Sequence, residues 1–201
     1  TKELDKLVYE IAASYTGSHY DYSKLAAFVA ISSYHKETND SFSQTMMLLC
    51  EDGIVNEKLI DTIKEYGEDT IDAAINHEND YNFDYFAWRS LQEMYLLKRP
   101  NGQVIERPQH MYMRVALWVT DNLTDALEYY KSLSNQLISK ATPIMINSGT
   151  KVPQLASCVL HYNDSDSRQG LLDTLNDIST FSSDAAGIGL SMSNIRSKES
   201  R

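Results

Sequence analysis

Cysteine is scarce in this 201-residue chain: Cys50 and Cys158 are the only two. Two thiols so far apart in sequence make neither a disulfide framework nor a zinc cluster, and they fit a reducing, cytoplasmic setting. Long apolar runs are missing as well. No stretch approaches the ~18 uninterrupted apolar residues of a membrane-spanning helix. Asp5, Glu10 and Asp21 fall where a secretory signal would need its apolar segment. No P-loop, nucleophile elbow or paired-carboxylate motif occurs, and the five histidines include no i, i+4 pair, which argues against a metal site.

Basic charge is the other shortage. The net charge is −10, and it is unevenly spread. Residues 1–95 hold 18 acids against 7 bases, a balance of −11, whereas residues 96–201 hold 10 against 11, a balance of +1. Phosphate backbones need clustered Lys and Arg, so nucleic acid is excluded as a bulk partner. The near-neutral second half leaves room for a small phosphate ligand.

What is present reads as helix first. Leu4, Leu7, Val8 and Ile11, then Leu25, Ala26, Val29, Ala30 and Ile31, recur at helical spacing and predict two surface helices burying one apolar stripe each. A third helix over 40–50 takes Asn39 or Asp40 as its N-cap. Leu59, Ile60 and Ile63 mark another, ending near Tyr66-Gly67, and Phe83, Phe86, Ala87, Ser90, Leu91 and Met94 form a further apolar face. Arg99-Pro100-Asn101-Gly102 between two apolar runs predicts a small β-hairpin over 95–106. Pro108 suits a first helical position, with Met111, Val115, Trp118 and Val119 as the buried stripe of the helix that follows. Another helix spans 123–139, capped by Asn122 or Thr124.

The last third changes texture. A short apolar run, Thr142 to Gly149, precedes a strand of buried-type residues, Leu155–Tyr162. A helix over 166–183 follows, with Leu171, Leu172, Leu175, Ile178 and Phe181 on one face, and a strand from Ala186 to Met192. Strand, helix, strand is a β-α-β unit, the beginning of a parallel sheet or barrel. On local pattern alone Cys158 and Cys50 read as core residues, because free cysteine is among the most buried side chains. Asp166-Ser167 reads as a helix N-cap. Gly187-x-Gly189 lacks the third glycine of a dinucleotide fingerprint and reads as a tight turn before the strand.

Several motifs stand in register: Glu106-Arg107-Pro108-Gln109-His110-Met111; Thr142-Pro143 with Asn147-x-Gly149-Thr150; Pro153-Gln154-Leu155-Ala156-Ser157-Cys158; and Ala186-Gly187-Ile188-Gly189 with Ile195-Arg196. Together with His35-Lys36-Glu37-Thr38, Tyr85-Phe86 and Tyr95-Leu96-Leu97-Lys98 upstream, they make the whole chain resemble the large, catalytic subunit of class I ribonucleotide reductase. The resemblance implies a mainly α-helical N-terminal domain over 1–140, with the hairpin, followed over 141–201 by the first β-α-β portion of a ten-stranded α/β barrel. It implies that Cys158 is one of two thiols that reduce the ribose 2′-position of a ribonucleoside diphosphate. Thr142, Ser157 and Gly187 fall at substrate-contact positions. Asp166, Ser167 and Arg196 fall at positions for a deoxynucleoside triphosphate or ATP effector, with Mg expected beside its phosphates.

The same resemblance implies a homodimer through helix 166–183, a small subunit holding the radical metal cofactor, re-reduction by thioredoxin or glutaredoxin, and no cofactor bound directly by this segment. Departures from the family pattern are Arg168 for an apolar residue and Ser183-Asp184 for Lys-Ser. The family's ATP-cone and its later barrel, with the radical cysteine and second reducing cysteine, have no counterpart here. The expectation is therefore a fragment inactive without a complementary C-terminal portion. The alternative is a non-catalytic nucleotide-binding and dimerisation module, and a third reading is a helical scaffold with a vestigial strand pair.

Overall fold

The computed structural model describes residues 2–183 and 187–197. The chain divides into two compact units. One comprises the chain up to Lys140 together with Met145–Pro153; the other comprises Ala141–Ile144 and the chain from Gln154 onward.

The first unit is helical. Its elements are α1 (Lys2–Ser14), α2 (Asp21–His35), α3 (Phe42–Glu51), α4 (Glu57–Tyr66), α5 (Glu68–Ala74), a 3-10 turn (His77–Asn82), α6 (Tyr85–Ser90), a π turn (Leu91–Tyr95), α7 (Pro108–Val119) and α8 (Leu123–Ser134). Local chemistry sets the boundaries. Ser41, not Asn39 or Asp40, caps α3: its hydroxyl accepts the Gln44 N–H at 3.1 Å. Asn56 caps α4 through Lys58 N–H at 3.0 Å, and α4 stops at Gly67, whose φ is +91°. Asn122 caps α8 through Asp125 N–H at 3.0 Å, and that helix ends at Ser134 rather than 139.

Helix α7 is the centre of this unit. Every residue from Pro108 to Leu117 is buried, including Gln109, His110 and Arg114, while Trp118 is half-buried and Val119 exposed. The expected amphipathic stripe was therefore too narrow; α7 is enclosed on all sides, and its polar residues must find partners inside. Phe42, Met46, Leu49, Leu59, Ile63, Ile71, Met111 and Val115 make the main core. Each contributes about 1.5–3 kcal/mol by leaving water. A second cluster gathers Ala27, Ala30, Ile31, Tyr34 and Trp88, with the Tyr34 and Trp88 rings edge-on at 5.0 Å.

Three other expectations change here. Leu4, Leu7, Val8 and Ile11 point outward, 42–62% exposed, as do Leu25 and Phe28, because small residues (Ala12, Ala26, Ala27, Ala30) make the close approaches. On α6 the inward side chain is Trp88 while Phe86 lies at the surface, and beyond Ser90 the π turn shifts the helical phase, with Met94 exposed. The 95–106 segment turns tightly at Gly102 (φ +83°), but its pairing is one antiparallel bridge, Lys98 to Val104, rather than a two-stranded hairpin.

The second unit holds β1 (Cys158–Tyr162), α10 (Arg168–Ser183) and β2 (Gly187–Ser191). The strands pair in parallel, Cys158 opposite Gly187 through Tyr162 opposite Ser191. A short helix, α9 (Thr142–Asn147), occupies the apolar run after Ala141. The strand expected to be buried is open: Cys158 is exposed, and Leu160 is 89% exposed. Parallel sheets in finished folds are covered on both faces, and two strands with one helix cannot achieve that. On α10 the side chain turned inward is Thr174, with Ile178 and Phe181 half-buried; Leu171, Leu172 and Leu175 face outward.

Candidate functional site

Cys158 opens β1. Its register partner Gly187 opens β2, so both glycines of Gly187-x-Gly189 lie within the strand rather than before it. The Gly187 N–H donates to the Ser157 carbonyl at 2.9 Å, which fastens the start of β2 beside the thiol. A Cβ on Gly187 would stand 3.5 Å from that carbonyl oxygen and 3.7 Å from Cys158 Sγ. Glycine therefore leaves one open side next to an exposed thiol, with the exposed Ser157 hydroxyl as its chain neighbour.

The opposite ends of the same strands carry a different arrangement. Ser167, not Asp166, caps α10: its hydroxyl accepts the Gly170 N–H at 3.0 Å. Asp166 turns instead to the segment after β2. Its Oδ2 accepts the Arg196 backbone N–H at 3.2 Å and pairs with Arg196 Nε at 3.1 Å. Buried Asn163 ties these loops together. It donates to the Ser191 carbonyl (3.3 Å) and to Thr174 Oγ1 (3.2 Å), accepts from Ser165 N–H (3.0 Å), and its carbonyl receives Asn194 Nδ2 (2.8 Å). Gly170 lets this loop fold back on the helix, since a Cβ there would lie 2.5 Å from the Ser165 carbonyl oxygen. A cavity of about 290 Å³ opens at this end, lined by His161, Asp164, Ser165, Ser167, Asp173 and Asp177 among others.

The loops following the C-terminal ends of parallel strands are where ligands of α/β sheets bind. At ~3.3 Å per residue, the five residues of β1 separate Cys158 from that end by roughly 13 Å. The structure thus brings Cys158, Ser157 and Gly187 together at one end, and Asp166, Ser167 and Arg196 at the other. Thr142 is the exposed first residue of α9. Asp184 and Ala186 lie outside the described residues. Among the described residues no group of three His, Cys, Asp or Glu side chains is placed to hold a metal ion.

Residues 81–153 match the family model described as the all-alpha domain of ribonucleotide reductase. The ribonucleoside-diphosphate reductase large subunit of vaccinia virus (strain Copenhagen) is 40% identical over 210 residues, covering 100% of this chain and 27% of that protein. The large subunit of Caenorhabditis elegans is 40% identical over 98% of this chain and 26% of its own length; that of Dictyostelium discoideum is 37% identical over 100% and 24%. The chain belongs to the ribonucleotide reductase large-subunit family. It spans about a quarter of the length of these relatives.

The family's all-alpha segment contains a buried polar system that the sequence reading did not single out. Arg114 and Glu106 form an ion pair with no exposure on either side chain, Nε to Oε1 at 2.6 Å and Nη2 to Oε2 at 3.1 Å. Near it, His35 Nε2 meets Asp80 Oδ2 at 2.8 Å, and Asp80 Oδ1 accepts from Gln109 Nε2 at 2.9 Å. Gln109 Oε1 in turn accepts from Ser134 and Tyr130. His77 and His110 both direct Nε2 at the Asp40 carbonyl, at 2.9 and 3.1 Å. Burial holds both histidines below the usual imidazole range, His110 far below, with His77 itself a second cause for His110. Burial likewise pushes the Tyr112 phenol up to about 12. Arg107 reaches the Thr38 hydroxyl and the His35 and Thr38 carbonyls. The sequence signal for this system was the dense polar motif Glu106–Met111 inside an otherwise apolar helix start.

Proposed function

We propose that this chain is part of a ribonucleoside-diphosphate reductase large subunit and supplies one of its two reducing thiols, Cys158. The observation that carries the reading is the pairing of Cys158 with Gly187. An exposed thiol sits on a strand beside a position without a side chain, where a ribose ring can approach. In the reaction the ribose 2′-carbon loses its hydroxyl as water and gains hydrogen. The two electrons come from two thiols, which leave as a disulfide. Cys158 is one of them. Cys50 lies on α3, half-buried in the helical unit, and this reading assigns the second thiol and the radical site to other parts of the subunit.

On this reading β1, α10 and β2 are the first portion of the ten-stranded barrel. Thr142 and Ser157 contact the substrate, and Gly187 makes room for it. Asp166, Ser167 and Arg196 hold a deoxynucleoside triphosphate or ATP effector, whose phosphates bring their own Mg. Asp166 would then exchange its bond to Arg196 for the effector's sugar hydroxyl, freeing the guanidinium fork for phosphate. The outward leucines of α10 support a dimer face. The remaining partners are the radical-bearing small subunit and thioredoxin or glutaredoxin in a reducing cytoplasm. No helix among the described residues is long and apolar enough to cross a membrane.

The test is Cys158→Ser in the assembled reductase, with small subunit, effector and dithiol present. The expected result is loss of deoxynucleotide formation with unchanged nucleotide binding. Retained activity, combined with an effect of Asp166→Ala on nucleotide binding, would establish a binding module instead. The 201-residue chain alone is expected to make no deoxynucleotide.

A further inference from the structure

We propose that Asn163 is the positioning residue of the effector site, an inference that rests on the reading of Asp166 and Arg196 as effector contacts. On that reading the bond between Asp166 and Arg196 opens when the nucleotide arrives, so it cannot be what spaces the two residues in the complex. Another group has to hold their loops while both side chains turn to the ligand. Asn163 is placed for this. It follows β1 directly and has no exposed surface. Its hydrogen bonds run to Ser165, Thr174, Ser191 and Asn194, and none of these depends on the Asp166–Arg196 pair.

The bonds divide between the two loops. The side chain serves the Asp166 side. Its Oδ1 accepts the N–H of Ser165, the residue before Asp166, at 3.0 Å. Its Nδ2 donates at 3.2 Å to Thr174 Oγ1 on α10, the helix that Ser167 caps. The backbone serves the Arg196 side. Its N–H donates to the carbonyl of Ser191, the last residue of β2, and its carbonyl accepts from Asn194 Nδ2 at 2.8 Å, two residues before Arg196. Between those anchors the Ile195 N–H donates to the Met192 carbonyl at 3.0 Å and closes a turn, so the chain reaches Arg196 with little freedom left. The two sets of bonds meet at one Cα, and the spacing of the loops is set across a single residue.

Only an amide fits both side-chain bonds, since one end must accept and the other must donate. Thr174 Oγ1 spends its own hydrogen on the Gly170 carbonyl at 2.8 Å and offers Asn163 nothing but lone pairs. An aspartate would set a buried charge against them. A leucine would leave the Ser165 N–H without its acceptor. Asn163 itself touches no ligand on this account. It reduces the ordering that the effector must impose when it binds.

The experiment is a double-mutant cycle in the reductase holoenzyme, with Asn163→Ala, Asp166→Ala and both together. It reads Kd for deoxythymidine triphosphate and, at saturating effector, KM for the ribonucleoside diphosphate. Alanine deletes the side-chain half alone. Having to order one loop residue on binding is expected to raise Kd ~10-fold. If Asn163 acts through Asp166, Asn163→Ala raises Kd by about that factor, adds nothing in the Asp166→Ala background and leaves KM unchanged. Additive losses, or a KM that rises with Kd, would overturn the inference and leave Asn163 as scaffold. An unchanged Kd for Asn163→Ala with a raised Kd for Asp166→Ala would overturn it while sparing the reading of Asp166. An unchanged Kd for Asp166→Ala would remove both. Should Asn163→Ala not fold, Asn194→Ala, at an exposed position, removes one bond of the backbone half. Its Kd must then rise, and must not rise further with Arg196→Ala; a normal Kd would overturn the inference.

Discussion

Gly187 stands directly across the parallel strand pair from Cys158, close enough that a single methyl group would come within 3.7 Å of the sulfur. That distance is ordinary van der Waals contact, so the methyl costs the fold little while narrowing access to the thiol.

Gly187→Ala is therefore expected to melt close to the parent but to slow the reaction of Cys158 with a bulky disulfide reagent severalfold. The measurement is the labelling rate in a Cys50→Ser background, where only Cys158 reports. An unchanged rate would mean that reagents reach the sulfur from another side and that the glycine does not define its approach.

Asp166 and Ser167 are adjacent but do different jobs, and stability separates them. Ser167→Ala removes the cap of α10 and is expected to cost ~1 kcal/mol. Asp166→Ala removes an ion pair whose side chains are 29% and 55% exposed, worth at most ~1 kcal/mol and less in salt. Chemical denaturation in 0.05 and 0.5 M salt checks this. Only the Asp166 variant's loss should shrink at high salt, and equal salt sensitivity would contradict the assignment of the cap.

The helices were legible in the sequence wherever a boundary residue marked them, as at the Gly67 stop of α4 and the Asn122 cap of α8. The faces they bury were less so. Leu4, Leu7, Val8 and Ile11 have the spacing of a buried stripe, yet alanines on the neighbouring face win the contact, because close helix packing selects small residues over large ones. The phase after Ser90 was hidden for another reason: one π turn rotates everything beyond it, and periodicity arguments assume 3.6 residues per turn. At the candidate site the pattern offered Asp166-Ser167 as the cap, of which Ser167 caps α10, and spacing alone left Arg196 without a role. The loops that carry the pair are joined by Asn163, which ties strands, loop and helix by four bonds and carries no sequence signature.

The buried pair of Arg114 and Glu106 is expected to resist the usual substitution by apolar residues. Removing one partner, as in Glu106→Ala, should cost ~3–5 kcal/mol. Replacing both, with Glu106→Leu and Arg114→Met, often restores stability in other proteins. Here it takes the Arg114 donors from the carbonyls of Met145 and Ile146 and the Glu106 acceptor from the N–H of Leu97, so the double variant should remain destabilised. Urea unfolding of the singles and the double decides the matter. Recovery to the parent midpoint would show that the carbonyls find water or other partners.

Acid should loosen the helical unit through His77 and His110. Both are bound through Nε2 to the Asp40 carbonyl, and their Nδ1 atoms are buried without a partner. Protonating either ring places a new charge in the interior beside Arg107 and His35, offset in part by the bond to the Asp40 carbonyl and, for His77, by Asp80. Their folded-state pKa values lie below the unfolded value of 6.5, so below that pH the unfolded chain binds more protons than the folded one. Stability then rises with pH across the window beneath 6.5 and is fully present above it. The slope approaches ~1.4 kcal/mol per pH unit for each such histidine where its folded form stays neutral. Thermal melts from pH 8 to pH 5 should show a plateau followed by a fall. His110→Gln removes the titrating ring, so its fall should be shallower than the parent's even if its plateau is lower. An identical slope would place the acid sensitivity elsewhere.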